Sequence, residues 1–291
     1  MMWKVTTLEL LCLCAFISTY VPGAMAQIIS HQEAKNIIYE LSDTRWGGRP
    51  TSVQTAKMFL SWLKMYRGEA AMCTQRFTYR VEGKKKHGAN IILTKGEKNT
   101  QLLCIMAHYD HLGMGAYRSR EINRNCLHPG ADDNASGVAL AIMLFDTLQK
   151  ILPHYTITAV FTAGHEDGLH GSMALVKYIY KKYNALTWLF NLDMVGRLDT
   201  VSKILRIETN ISWPAIQTDK ITPHPQPLHS IGDHTAFVKR NVQIAFVTTG
   251  NHDDYHRCSD TPDKINYEGI EFIRQYLTAV LEKLCVTQSG K

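Results

Sequence analysis

Residues Leu102-Leu103-Cys104-Ile105-Met106-Ala107 form an unbroken apolar run that is followed directly by His108-Tyr109-Asp110. A short apolar run of this kind is typical of a strand that is buried on both faces of a parallel sheet. The polar residues after the run would then stand at the carboxyl end of the strand. Ligands bind at this edge of such sheets, so the run indicates both the fold and the place to look for function.

Similar apolar runs alternate with helical periodicity along the rest of the chain. Strands are predicted at residues 89–93, 102–107, 156–162, 188–192 and 242–248. Helices are predicted at residues 51–66, 136–152, 172–183 and 268–285. No internal repeat or Pro/Ser-rich linker divides the chain. We therefore expect a single α/β domain, in which helices cover both faces of a mixed, mostly parallel central sheet.

Composition excludes several other classes of protein. The chain has 291 residues, of which 45% are hydrophobic and 20% charged, and this balance is unlike that of a disordered or fibrous protein. The net charge of +6 is not gathered into a dense basic segment, so no nucleic-acid partner is expected. The unusual feature is the number of histidines, which is 13.

Residues 1–26 have the pattern of a secretory signal peptide. Lys4 supplies the positive charge, residues 10–20 the apolar stretch, and Ala24-Met25-Ala26 a cleavage site. The apolar stretch is shorter than the roughly 20 residues that span a bilayer. We expect a secreted or periplasmic protein with no stable membrane insertion after cleavage, and a mature domain at residues 27–291.

Cleavage would leave an odd number of cysteines in the mature chain. They are Cys73, Cys104, Cys126, Cys258 and Cys285. None of them forms a Cys-x-x-Cys pair, and an exported protein can oxidise one or two pairs. Cys104 lies inside an apolar run and is expected in the core. The spacing leaves the pairing open.

Five segments at predicted strand ends or helix starts carry side chains that bind metals. These segments are His108-Tyr109-Asp110, Asp132-Asp133, His165-Glu166-Asp167, Asp193 and residues 252–256, which end in His256. Each alone is a weak signal, but parallel strands would bring them to one edge. Two histidines and three carboxylates suit a pair of zinc-type ions that share a bridging carboxylate, which is a hydrolytic arrangement.

Four motifs resemble those of a known family. They are residues 108–113 (His-Tyr-Asp-His-Leu-Gly), 130–137 (Gly-Ala-Asp-Asp-Asn-Ala-Ser-Gly), 191–196 (Asn-Leu-Asp-Met-Val-Gly) and 255–265, which contain Asp-Thr-Pro-Asp-Lys-Ile. Together they resemble the co-catalytic zinc aminopeptidases, a group that includes bacterial leucyl aminopeptidases, glutamate carboxypeptidase II and glutaminyl cyclases. The resemblance implies a zinc-exopeptidase-like fold.

The resemblance also implies a role for each matching residue. His108 and Asp193 would bind one zinc ion, Glu166 and His256 would bind the other, and Asp133 would bridge both. Asp110 would orient His108, whereas Asp132 and His111 are not expected to be ligands. The implied activity is hydrolysis of N-terminal peptide bonds by water activated between two zinc ions, on peptide substrates with a free N-terminus.

One position departs from the family pattern. The family usually has Glu-Glu before x-Gly-Leu-x-Gly-Ser, and the first Glu is the general base. Anchoring on Gly168-Leu169 places His165 at the base position and Glu166 at the ligand position. An alternative frame makes Glu166 the base and Asp167 the ligand. An imidazole suits proton transfer near neutral pH, but two adjacent dications oppose its charged form, so attenuated hydrolysis is expected.

This departure keeps two other functions open. The chain could be a catalytically inactive homologue that retains the metal centre, or a glutaminyl-cyclase-like transferase with one zinc ion.

Among the remaining polar segments, Gly232-Asp233-His234 is expected to line the substrate pocket. Residues 223–229 are expected to form a surface loop.

Overall fold

The computed structural model describes residues 22–67, 71–96, 101–115, 118–122, 125–183 and 186–289. Its helices are α1 (Pro22–Leu41), α2 (Val53–Arg67), α3 (Gly137–Ile151), α4 (His170–Tyr183) and α5 (Tyr267–Ser289). Within the described ranges, none of these helices is both long and apolar enough to cross a membrane. Of the expected signal peptide, residues 1–21 lie outside the described residues, and residues 22–26 begin α1.

Eight strands form one sheet. They are β1 (Ala71–Val81), β2 (Lys84–Lys95), β3 (Leu102–His108), β4 (Thr156–Thr162), β5 (Trp188–Leu192), β6 (Ile204–Thr209), β7 (Thr222–Gln226) and β8 (Gln243–Thr248). Their order is β1-β2-β4-β3-β5-β8-β6-β7. The four central strands β4, β3, β5 and β8 are parallel, while β2 and β6 join them antiparallel on either side. The predicted α/β fold with a mixed, mostly parallel sheet is confirmed.

The alternation of side chains along β3 explains why helices cover both faces of the sheet. Leu103, Ile105 and Ala107 pack into one core cluster, together with residues of α1, α2, α3 and α5. Leu102, Cys104 and Met106 point the other way and pack against α4. Cys104 is 1% exposed, as expected of a core residue. Burial of β3 on both faces leaves only its carboxyl end, at His108, to meet a ligand.

Three strands were not predicted from the sequence. β1 and β6 are half-exposed and lack a continuous apolar run. The predicted surface loop at residues 223–229 is wrong for residues 223–226, which belong to β7. β7 contains Pro223 and Pro225, and proline is tolerated there because β7 lies at the edge of the sheet, where only one side must be hydrogen-bonded.

A disulfide joins two distant segments next to the carboxyl edge of the sheet. It links Cys126, which precedes Asp133, to Cys258, which follows His256. The two cysteines are 132 residues apart in sequence. Within the described residues, Cys73, Cys104 and Cys285 form no disulfide. The disulfide therefore holds the two chain segments that carry Asp133 and His256 against each other.

Replacing both Cys126 and Cys258 with serine is expected to lower the free energy of unfolding by about 2–5 kcal/mol, because the unfolded chain regains the entropy of a large open loop. Urea denaturation under non-reducing conditions measures this loss. The control is Cys73→Ser, which removes a free, half-buried thiol. A double variant no less stable than the control would contradict the prediction.

Candidate metal centre

One group of metal-binding side chains forms around His108. Its Nε2 lies 3.2 Å from Asp133 Oδ1 and 3.5 Å from Asp193 Oδ1. Its Nδ1 lies 3.0 Å from the backbone oxygen of Asp110, and because a carbonyl only accepts, Nδ1 must carry the proton. In the neutral ring Nε2 then presents a lone pair to two carboxylates. Such an arrangement is unfavourable unless a cation or a second proton lies between them.

A second group forms around His256 on the other side of Asp133. His256 Nε2 lies 3.2 Å from Asp133 Oδ2 and 3.3 Å from Glu166 Oε2. Its Nδ1 donates to the backbone oxygen of Arg118 at 3.0 Å, so Nε2 again faces carboxylates. Asp133 thus offers one oxygen to each group. This is the placement that a bridging ligand requires.

His111 belongs to the second group, although the sequence gives no reason to expect a ligand at this position. Its Nδ1 lies 3.2 Å from Glu166 Oε1 and 3.7 Å from Asp133 Oδ2. The ring is 2% exposed, and its Nε2 has no hydrogen-bond partner among the described residues. Gly130 makes room for it, because a Cβ there would lie 2.6 Å from the ring. His111 is the fourth residue of the first motif, but only the fold shows that it turns towards Glu166.

The protonation of these groups fits a cation site. Burial lowers the pKa of His256, but the hydrogen bonds and charges of Asp133 and Glu166 outweigh this effect and raise it to about 10. The pKa of His108 is raised as well, since Asp133 and Asp193 outweigh the effect of burial. Both imidazoles therefore hold a proton where a metal ion could replace it. His108 Nε2 and Asp133 Oδ2 have no hydrogen-bond partner among the described residues.

Asp110 contacts His108 through its backbone and not through its carboxylate, which lies 3.9 Å from His108 Nδ1. The carboxylate accepts hydrogen bonds from the Thr51 hydroxyl at 2.7 Å and from the backbone N–H groups of His165 and Glu166, both at 3.3 Å. Asp110 therefore orients His108 by its carbonyl group and positions the loop that carries Glu166 by its side chain.

Asp132 stays outside both groups, as expected. Its carboxylate accepts from the Ser136 hydroxyl and the Gly196 N–H, and its other oxygen lies 3.1 Å from His252 Nε2. Asp260 accepts the backbone N–H groups of Asp132 and Asp133 at 2.9 and 3.0 Å. These bonds fix the backbone beside the bridging position.

Arg49 is a fully buried cation beneath the site. Its guanidinium donates to the backbone oxygens of Leu41, Tyr109, Pro129 and Gly130. Burial lowers its pKa to about 10, against the opposing charges of nearby carboxylates, so it remains charged at neutral pH. Arg49 thereby joins the end of α1, the end of β3 and the turn that leads to Asp133.

His165 is held by Asp233. Its Nδ1 lies 3.2 Å from Asp233 Oδ2, which also accepts from the Thr162 hydroxyl at 2.6 Å. Its Nε2 lies 3.9 Å from Asp193 Oδ2, and its ring stacks on His108 with centroids 3.8 Å apart. Burial and His108 lower the pKa of His165, but Asp233 and Asp193 outweigh them and raise it to about 9. From the sequence, Asp233 was expected near the substrate pocket, but its hydrogen bond with His165 was not predicted.

Asp167 points away from the cluster. The Tyr79 hydroxyl donates to its carboxylate, and Lys86 Nζ lies 3.0 Å from it. Both partners belong to the hairpin of β1 and β2. The geometry therefore favours the frame in which Glu166 takes the ligand position over the frame that uses Asp167.

A cavity of about 710 Å³ opens from the cluster. Asp133, His165, Asp193 and Met194 line part of it, and residues of β6, β7 and β8 and of the segments that follow β7 and β8 line the rest. Asp133, which lies between the two groups of metal-binding side chains, thus meets the same space as His165 and Asp193.

Comparison with known proteins gives a consistent result. The model of peptidase family M28 matches residues 90–281. Aminopeptidase YwaD of Bacillus subtilis is 25% identical over 239 residues, which cover 75% of this chain and 50% of the relative. The uncharacterized protein YfbL of Escherichia coli is 23% identical over 217 residues, which cover 62% of this chain and 66% of the relative. The matches thus span one half and about two thirds of these relatives.

Solved structures share the fold. A zinc aminopeptidase from Bacillus subtilis, BSAP, matches with a TM-score of 0.69 and 15% identity, over 87% of this chain and 95% of that one. A glutaminyl cyclase from Bacteroides thetaiotaomicron matches with a TM-score of 0.70 and 15% identity, over 87% and 97%. The resemblance found in the sequence motifs is confirmed, because the family model matches most of the chain. The chain belongs to peptidase family M28.

Proposed function

We propose that this protein is an exported exopeptidase that hydrolyses N-terminal peptide bonds with two zinc ions. The observation that carries the proposal is the placement of Asp133, whose two oxygens face two separate groups of histidine and carboxylate. His108 and Asp193 would hold one ion, and Glu166 and His256 would hold the other. His111, whose Nδ1 faces Glu166, would be an additional ligand of the second ion.

The donor set fits zinc. Imidazole nitrogens and carboxylate oxygens are common zinc ligands, and both backbone-oriented histidines face the cluster with Nε2. When bound, zinc supplies Lewis acidity that polarises a peptide carbonyl and activates water for attack. The dense negative charge of Asp133, Glu166 and Asp193 gives a reason for two dications rather than one.

His165 would act as the general base. Asp233 holds its Nδ1 side, so Nε2 is directed towards the cavity and the cluster. A carboxylate behind an imidazole fixes its tautomer and stabilises the cation formed when Nε2 takes a proton. The two dications would lower the pKa of His165 from its raised value, so that the ring is neutral and can accept that proton. It could then return the proton to the leaving amine.

Metal analysis of the purified protein tests this function. We expect two zinc ions per chain, release of amino acids from aminoacyl anilides and dipeptides, loss of activity on chelation, and recovery on adding zinc. N-acetylated peptides should not be cleaved, because a free N-terminus is required. One zinc ion with cyclisation of N-terminal glutamine would instead identify a cyclase. Two zinc ions without any turnover would identify a binding protein.

The ligand role of Glu166 is tested by comparison with its neighbour. Glu166→Gln is expected to lower the zinc content and abolish activity, because it removes a charged oxygen beside His256 and His111. Asp167→Asn is the matched control, since it changes the next carboxylate but only weakens contacts to Tyr79 and Lys86. Equal zinc content in the two variants would contradict the assignment.

The base role of His165 is tested at constant zinc content. His165→Ala is expected to lower kcat by about a hundredfold or more, which is within the range for loss of a general base. Asp233→Asn should lower kcat at least about tenfold, because it weakens the orientation of the ring. His165→Glu should raise turnover above that of the natural chain, since a carboxylate becomes neutral on protonation beside two dications. Unchanged or lower turnover would show that histidine works as the base and that the argument from the charge of the dications is wrong.

A further inference from the structure

The cavity has two electrostatically different ends. The end at Asp133 and Asp193 belongs to the metal centre. The wall formed by β6, β7 and the segment that follows β7 carries Arg206, His224 and His229. Asp133 and Asp193 at the first end have a role as proposed metal ligands, whereas the proposed reaction gives no role to Arg206 on the opposite wall.

Arg206 is the permanently positive side chain on that wall. It is exposed, and it makes no hydrogen bond or ion pair with any residue in the described ranges. Its guanidinium lies against the backbone of Gly250, where a Cβ would come within 2.8 Å of Nη1 and 2.9 Å of Cζ. Gly250 also has a φ of +93°, which disfavours any other residue. The backbone therefore leaves a space that the guanidinium fills at the cavity wall.

Glu208 also lines the cavity but does not neutralise Arg206. It accepts the backbone N–H groups of His229 and Ser230 at 3.0 and 2.7 Å, and the Ser230 hydroxyl donates to its other oxygen. His229 Nε2 lies 3.2 Å from the same carboxylate. Glu208 is 5% exposed, and these contacts hold its carboxylate against residues 229–230 and not against Arg206. The charge of Arg206 remains available to a molecule in the cavity.

The register of the sheet fixes how far Arg206 stands from the metal centre. Leu192, which precedes Asp193, pairs with Val247 on β8, and Thr248 pairs with Arg206 on β6. Asp193 and Arg206 are thus two strand spacings apart, or about 10 Å between backbones. Consecutive residues of a peptide are about 3.8 Å apart, so a group next to the scissile bond can reach Arg206.

We propose that Arg206 binds a carboxylate of the substrate while the scissile bond lies at the metal centre. Guanidinium groups pair with carboxylates through two parallel hydrogen bonds, which adds geometric selectivity to the charge. The carboxylate belongs either to an acidic side chain of the N-terminal residue or to the C-terminus of a dipeptide. This inference rests on the proposed peptidase function and specifies its substrate class.

Kinetics with paired substrates tests the proposal and separates the two sources. Glutamyl anilide is compared with glutaminyl anilide, and the dipeptide Leu-Ala with Leu-Ala amide. The substrate that carries the recognised carboxylate should have a kcat/KM at least about tenfold higher than its neutral partner, mainly through KM. A preference in either pair supports the proposal and names the source, whereas no preference in both pairs overturns it.

Variants assign the effect to Arg206. Arg206→Gln should abolish the preference with little change in kcat for the neutral substrates, and Arg206→Lys should retain part of it. Arg206→Glu should reverse the charge preference, so that lysyl anilide becomes a better substrate than glutamyl anilide. The matched control is Arg240→Gln, because Arg240 is exposed and stacks on Tyr180 away from this cavity. A preference that persists in Arg206→Gln would overturn the proposal.

Calorimetric titration of the zinc-loaded protein separates this inference from the proposed function. Glutamate is compared with glutamine, and Leu-Ala with its amide, in the natural chain and in Arg206→Gln. Tighter binding of a carboxylate ligand that Arg206→Gln loses would support the inference even if no peptide is hydrolysed, in which case only the proposed function fails. Hydrolysis without any difference in binding would overturn the role of Arg206 and leave the function intact.

Discussion

Three carboxylates and three imidazoles meet at one buried edge of the sheet, and the cost of removing that charge from water constrains everything around it. His108 and His256 turn Nε2 towards the carboxylates because backbone carbonyls hold their other nitrogens. Arg49 places a compensating positive charge beneath the cluster. Asp260 uses its carboxylate to fix the backbone at Asp133. The fold therefore supplies orientation and part of the countercharge, and metal ions would supply the rest.

The sequence predicted the centre of the fold and indicated that the five candidate ligands would lie together, for a physical reason. A strand buried on both faces needs a continuous apolar run, and a polar residue after the run must lie at the edge of the sheet. β3, β4, β5 and β8 follow this pattern, so His108 and Asp193 could be placed together without coordinates. Their ring and carboxylate atoms lie 3.5 Å apart in the structure.

The remaining features depend on contacts that have no local signature. β1, β6 and β7 lie towards the margins of the sheet and are only partly buried, so hydrophobic periodicity did not distinguish them from loops. The contact of His111 with Glu166 depends on the space left by Gly130. The contact of His165 with Asp233 joins segments 68 residues apart, and the disulfide joins segments 132 apart. Spacing in the sequence does not encode such pairs.

Arg49 has a consequence for where the functional unit begins. The segment that defines the family starts at residue 90, yet Arg49 and Thr51 precede it and hold the backbone at Gly130 and the carboxylate of Asp110. A fragment cut to the family boundary would keep every proposed metal ligand and lose the residues that align them. The smallest autonomous unit therefore extends upstream of the segment that the family model matches, and truncation libraries or domain fusions need to start before Arg49.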